Sequence, residues 1–192
     1  KDKKISLIWQ TGMLLRGVPP GTTLWSGPAE GADRGTAMDE RVNLRSHLDR
    51  SAQDAPNGPA VAAVIEALAM ASITLADLIA DGPLAGITGR HSGVNSDGDL
   101  QKDIDVAADE MMRHALRATP VAAILSEEAE LPEILDAEAP LCVAIDPLDG
   151  SANLENNISV GTIFSIRARG NDVVSTFFEP GTAQRAAGFV VY

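Results

Sequence analysis

Asp146 and Asp149 stand three positions apart with Pro147 and Leu148 between them, and Gly150, Ser151, Ala152 and Asn153 follow directly. That is the composition of a turn in which carboxylates and backbone N–H groups can face one common point. Four further carboxylates, Asp99, Asp105, Glu127 and Glu128, lie at the ends of other candidate strands or in loops beside them. If all converge, the accumulated negative charge destabilises the fold unless cations neutralise it. An all-oxygen ligand set suits Mg²⁺, with Mn²⁺ as its substitute, and the sequence offers no His or Cys cluster that would suit zinc. Mg²⁺ usually keeps several waters and shares a phosphate, which points to a phosphate ester as substrate. Such cations orient a water, lower its pKa and stabilise the charge on the leaving oxygen, while a remaining carboxylate takes the proton. The competing reading is conformational: Asp, Pro and Gly recur in turns for backbone reasons, acidic residues favour a first helical turn, and paired glutamates are common on surfaces.

The elements that must position these residues follow from hydrophobic periodicity. An apolar strand from Leu141 runs into the acidic turn and a second strand, through Phe164, leaves it. The run VAAILS ends in Glu127-Glu128, so one glutamate must point inward or along the rim of the sheet. Short helical spacing is expected over Arg41–Arg50, and a long alanine-rich helix over Ala60–Ala80, stopped by Asp81-Gly82-Pro83. Helical period resumes over Asp99–Leu116, with a second long helix expected around Asp103–Arg117; Ile104, Ala108, Met111 and Ala115 form one stripe, while Asp99, Asp103, Asp105, Asp109 and Glu110 crowd the first half. Between the two helices, Gly82 to Gly98 reads as a long loop serving a site, with His91 a solvated loop histidine. LPEILDAEAP reads as a connector, and GTIFSIRAR, DVVSTFFEP and RAAGFVVY read as an antiparallel meander. The fold class expected is α/β, in layered α+β form, with long helices packed on a mixed, largely antiparallel sheet. The Ala60–Ala80 helix is apolar on more than one face, which places it between layers or at a subunit contact and implies a homo-oligomer.

Bulk composition narrows the partners. With 15 Lys and Arg against 27 Asp and Glu in 192 residues, the net charge of −12 argues against nucleic acid and anionic membrane. A single cysteine, Cys142, cannot form an intramolecular disulfide, and a cytoplasmic setting is the simplest expectation. No apolar run is expected to approach the roughly 20 residues of a membrane span. Residues 1–37 carry both tryptophans without sustained period and read as an irregular leader or appended segment, with Met38 a natural start; a functional N-terminal arm is the alternative.

The segment Asp146-Pro147-Leu148-Asp149-Gly150-Ser151, with Asn153 and Ser159-Val160-Gly161-Thr162-Ile163-Phe164 after it, resembles the signature of class 1 fructose-1,6-bisphosphatases, within the lithium-sensitive sugar phosphatase superfamily. Leu125-Ser126-Glu127-Glu128, and Gly98-Asp99-Leu100-Gln101-Lys102 with Asp105-Val106, resemble two further motifs of that family in the same order. The resemblance extends from about Asn43 to Tyr192 and implies a sugar-phosphatase fold. It implies metal binding by Glu127, Asp146, Asp149 and the Leu148 carbonyl, with Asp99 as a further loop-borne ligand and a contributor to catalysis. It implies that Asp105 and Glu128 activate the attacking water, that Asp149, Gly150, Ser151 and Ala152 cradle the 1-phosphate, and that Asn95 belongs to a mobile catalytic loop.

The reaction so implied is Mg²⁺-dependent hydrolysis of fructose 1,6-bisphosphate to fructose 6-phosphate and phosphate. Its setting would be gluconeogenesis or a carbon-fixation cycle, where sedoheptulose bisphosphate is a further candidate, and the assembly a tetramer. A related sugar or inositol phosphatase is the neighbouring alternative, and a truncated, non-catalytic metal-binding fragment the alternative from another class. Three departures bear on this. Ala152 stands where the family usually has a second serine. Ala55-Pro56-Asn57-Gly58-Pro59 and Pro140-Leu141 stand where allosteric members hold AMP, so AMP inhibition is not expected, and Cys142 alone excludes the chloroplast type of redox control. The family also continues into a second domain that supplies the 6-phosphate site and another metal-ligating glutamate. Residues 38–192 are therefore expected to be the N-terminal catalytic and metal-binding domain only, in a fragment or incomplete gene product.

Overall fold

The computed structural model describes residues 43–81, 97–156 and 158–192. The anticipated leader, and His91 and Asn95 in the glycine-rich loop, lie outside those residues.

Helix α1 (Leu44–Ala52) opens with Asn43, whose side chain accepts from the Ser46 N–H at 2.8 Å, an ordinary N-cap. The next helix, α2 (Gly58–Asp81), starts after Asn57 in the left-handed region at φ 59, a conformation Asn tolerates. Gly58 is required there by space, because a Cβ would stand 2.2 Å from the Ala52 carbonyl oxygen. Val64, Leu68, Ala71 and Leu75 form the buried stripe of α2, while Met70 and Ile73 are exposed on the opposite side. One expectation is corrected: by length and composition α2 could cross a membrane, contrary to the expected absence of such a run. Its buried stripe nevertheless belongs to the same core as the sheet, and its other face is uncovered among the described residues.

Helix α3 (Asp97–Arg117) follows and takes in the whole helical period from Asp99, so the Asp99 backbone lies in its first turn and not in the loop that the resemblance implied. Strands β1 (Val121–Ser126), β2 (Glu133–Ile134), β3 (Leu141–Asp149), β4 (Gly161–Ala168) and β5 (Gln184–Val191) form one sheet in the order β2-β1-β3-β4-β5. β1 and β3 are parallel and every other pairing is antiparallel, the mixed sheet that the sequence implied. The short β2 lies inside the segment read as a plain connector.

Central strand β3 is covered on both faces, which explains its unbroken apolar run. Leu141, Val143 and Ile145 join the core under α2 and α3, while Cys142 and Ala144 pack on the other side with Ala122, Ala123, Ala139 and Phe177. The expected three-stranded meander is corrected to a β4–β5 pair. DVVSTFFEP forms a helical turn, α4 (Val173–Thr176), because the Asp172 carboxylate accepts from the Ser175 N–H at 2.8 Å and caps it. Its product, the buried Phe177 ring, closes the second face of the sheet.

Candidate active site

Parallel pairing aligns Ser126 with Ile145, so β1 and β3 end together and deliver Glu127-Glu128 beside Asp146–Asp149. Helix α3 leads back into β1 after a short turn and packs on β1 and β3, which brings its acidic first half to those same strand ends. The three segments that carry the predicted carboxylates thus meet at one edge, where a sheet with parallel strands leaves room for a ligand.

Each segment is fixed by specific bonds. The Glu127 N–H donates to the Ile145 carbonyl at 2.9 Å, binding the glutamate turn to β3. In β3 the ladder with β4 breaks between Asp146 and Asp149, where Pro147 has no N–H to give. The freed Pro147 carbonyl accepts from Thr162 Oγ1 at 2.8 Å, and that hydroxyl also pairs with the Tyr192 hydroxyl at 2.7 Å. Gly161 permits this closeness, since a Cβ there would stand 2.4 Å from the Val190 carbonyl oxygen. The Leu148 N–H donates to Asp146 Oδ1 at 3.2 Å, which aims the carboxylate along its own strand end. Gly150 takes φ 78, the left-handed step that turns β3 into the 3-10 segment Ser151–Asn156. From that segment Ser151 Oγ donates to Asp105 Oδ2 at 3.2 Å, linking the turn to α3.

The electrostatics follow from crowding. Burial, then the charges of Glu127 and Asp149, push the Asp146 carboxyl up to about 7, against which the Leu148 N–H works. Burial raises Glu128 as well, assisted by Glu127, Asp105 and Asp109. Asp105 is raised by burial and held back by the Ser151 hydroxyl. No Lys or Arg among the described residues pairs with Glu127, Glu128, Asp146 or Asp149. The arrangement therefore has the donor chemistry of a hard divalent cation: oxygen atoms only, mutually repelling and, among the described residues, without a compensating cation. Among the described residues no three of these groups are yet drawn together as a closed ligand cage, and the Asp99 side chain is not among those described. Glu127, Glu128, Asp149, Gly150 and Ala152 face solvent, Ser151 and Asp105 are half-exposed, and Leu148 is buried.

One group that the sequence did not single out is the chain Glu133, Arg113, Asp109 and Ser126. Arg113 Nε donates to Glu133 Oε2 at 2.7 Å and its NH1 donates to Asp109 Oδ2 at 3.1 Å. Ser126 Oγ donates to Asp109 Oδ1 at 2.6 Å. The only sequence signal was helical register, since Asp109 falls one turn after Asp105.

A family model described as fructose-1-6-bisphosphatase, N-terminal domain, matches residues 43–192. A class 1 fructose-1,6-bisphosphatase of Bradyrhizobium sp. strain BTAi1 is 62% identical over 155 residues, covering 81% of this chain and 44% of the relative. One from Nitrobacter vulgaris is 50% identical over 155 residues, with 81% and 45% covered. Among solved structures, Leishmania major fructose-1,6-bisphosphatase in holo form superposes with a TM-score of 0.62 at 25% identity, over 78% of this chain and 48% of that one. The chain spans less than half the length of these relatives. With the family match running unbroken from Asn43 through all three acidic segments to Tyr192, the chain belongs to the fructose-1,6-bisphosphatase N-terminal domain family.

Proposed function

We propose that this chain provides the phosphate-cleaving part of a class 1 fructose-1,6-bisphosphatase, which hydrolyses the 1-phosphate of fructose 1,6-bisphosphate with a divalent cation, Mg²⁺ in preference to Mn²⁺. The observation that carries this is Asp146: a carboxyl pushed up to about 7 by burial and by Glu127 and Asp149, with no Lys or Arg among the described residues paired to it. The remaining expected ligands are Glu127, Asp149 and the Leu148 carbonyl beside it, with Asp99, whose backbone lies in the first turn of α3, as a further one. When bound, the cation supplies neutralisation of these carboxylates, polarisation of the phosphoryl group and activation of a water.

The chain's own residues supply positioning and proton handling. Glu128 and Asp105, both raised by burial, are better bases near neutrality than ordinary carboxylates and accept the proton of the attacking water. The Ser151 hydroxyl holds one Asp105 oxygen, leaving the other for that water. Gly150, Ser151, Ala152 and Asp149 form the turn that receives the 1-phosphate, and Ala152 offers it only backbone. The buried Cys142 thiol, pushed up to about 11, is inert to disulfide control and agrees with a reducing cytoplasm. The exposed Met70 and Ile73 stripe suits the subunit contact of a homotetramer.

The test joins this chain to the C-terminal part of the Bradyrhizobium BTAi1 relative and measures phosphate release from fructose 1,6-bisphosphate, sedoheptulose bisphosphate and inositol monophosphate. Release that needs Mg²⁺, prefers the fructose ester and falls at least about 100-fold in Asp146→Asn is expected. Unchanged Mg²⁺-dependent release in that variant overturns the proposal.

A further inference from the structure

We infer that Ser126 and Asp109 are positioning residues: their hydrogen bond sets the direction of the Glu127-Glu128 turn and, through it, where the two carboxylates stand. This rests on the reading of the site proposed above. Ser126 is 2% exposed and Asp109 8%, an unusual depth for an acid. The hydroxyl donates to Asp109 Oδ1 at 2.6 Å and accepts from the Glu128 N–H at 3.3 Å. A hydroxyl has a single proton, so commitment of that proton to Asp109 points a lone pair at the Glu128 amide. The bond to Asp109 therefore decides whether Glu128 has a backbone anchor.

The remainder of the turn is anchored elsewhere. The Glu127 N–H goes to the Ile145 carbonyl and the Ala129 N–H to the Ser126 carbonyl at 3.2 Å. Glu128 is the one residue of the turn whose N–H is held by a side chain, and that side chain is held by α3. Asp109 is itself oriented from behind. Its second oxygen accepts from Arg113 NH1 at 3.1 Å, and Arg113 is clamped to Glu133 of β2, which pairs with Ile124 of β1. A rigid frame of α3, β1 and β2 thus ends in one amide beside the site. Outer partners of this kind orient the groups that touch a ligand without touching it themselves.

The test uses the full chain, with Mn²⁺ as probe. Ser126→Ala removes one oxygen atom from a buried position and is the mildest variant available. Expected are a weakening of Mn²⁺ affinity by tenfold or more and faster amide exchange at Glu128 by roughly tenfold, with the far-ultraviolet spectrum unaltered. Asp109→Asn keeps an amide oxygen that accepts from Ser126 and rescues both readouts relative to Asp109→Ala. A purely structural role would lower the melting temperature of Ser126→Ala while leaving the Mn²⁺ affinity of the folded protein unchanged, and that outcome overturns the inference. Absence of saturable Mn²⁺ binding in the unsubstituted chain would instead strike the proposed function. The positioning role would then be decided by Glu128 exchange alone, with an unchanged rate in Ser126→Ala overturning it.

Discussion

The Ser151 hydroxyl and the Asp105 carboxylate meet at 3.2 Å across 46 residues of sequence, one from the turn after β3 and the other from the third turn of α3. This bond joins the phosphate-receiving turn to a candidate base and opposes the upward push of burial on Asp105. Ser151→Ala removes the opposing influence, so the Asp105 carboxyl titrates higher than in the unsubstituted protein. It also loses one hydrogen bond to a charged group in a half-exposed position, a cost of about 1 kcal/mol. Carboxyl titration followed by NMR, together with urea unfolding, reads both effects; an Asp105 titration that stays in place or moves down contradicts the assignment.

Asp146 gives the cation-free protein a definite pH dependence. Its folded value of about 7 lies above the unfolded value near 4, so the native state holds the proton more tightly. The stability that this contributes is complete below about pH 4 and is lost as pH rises through about 7. Melting temperatures measured in chelator from about pH 4 to about pH 8 should therefore fall further in the unsubstituted chain than in Asp146→Asn, which cannot ionise there. Adding Mg²⁺ at the upper end should restore the unsubstituted chain by mass action and leave the variant where it was. Parallel pH profiles for the two proteins would contradict the account of Asp146.

Much of this site was legible in the sequence because its carboxylates sit where periodicity changes. Asp146 and Asp149 follow an apolar run long enough to be a covered strand, and Glu127-Glu128 end another, so the strand ends announced themselves. The two long helices were legible from their stripes for the same reason. What escaped depends on pairings remote in sequence or on a single side chain. Asp109 reads as ordinary helix-start acidity until Ser126, 17 residues away, is placed against it. DVVSTFFEP has the β-branched and aromatic content of a strand, but local capping by Asp172 outweighs that preference. β2 pairs through two residues only, too few for any period to register.

Arg167 offers a prediction about the second face of the sheet, away from the chemistry. It pairs in register with Cys142 on β3 and is 1% exposed, so a guanidinium is buried beneath the α4 segment. Its NH1 donates to the carbonyls of Glu179 at 2.9 Å and Pro180 at 3.1 Å, while Nε has no partner among the described residues. Burial lowers its pKa, with Glu179 opposing that shift. Two effects compete on substitution. Removing the guanidinium relieves the burial of a charge with an unmatched N–H, but it leaves two carbonyls without a donor and, in alanine, a void as well. The carbonyls and the void outweigh the relief in Arg167→Ala, which should be destabilised by about 3 kcal/mol in urea unfolding. Arg167→Met fills most of the volume with no charge to bury and should recover about half of that loss. If both variants unfold at the same urea concentration, the side chain's volume is not what matters and the two carbonyl bonds carry the whole effect.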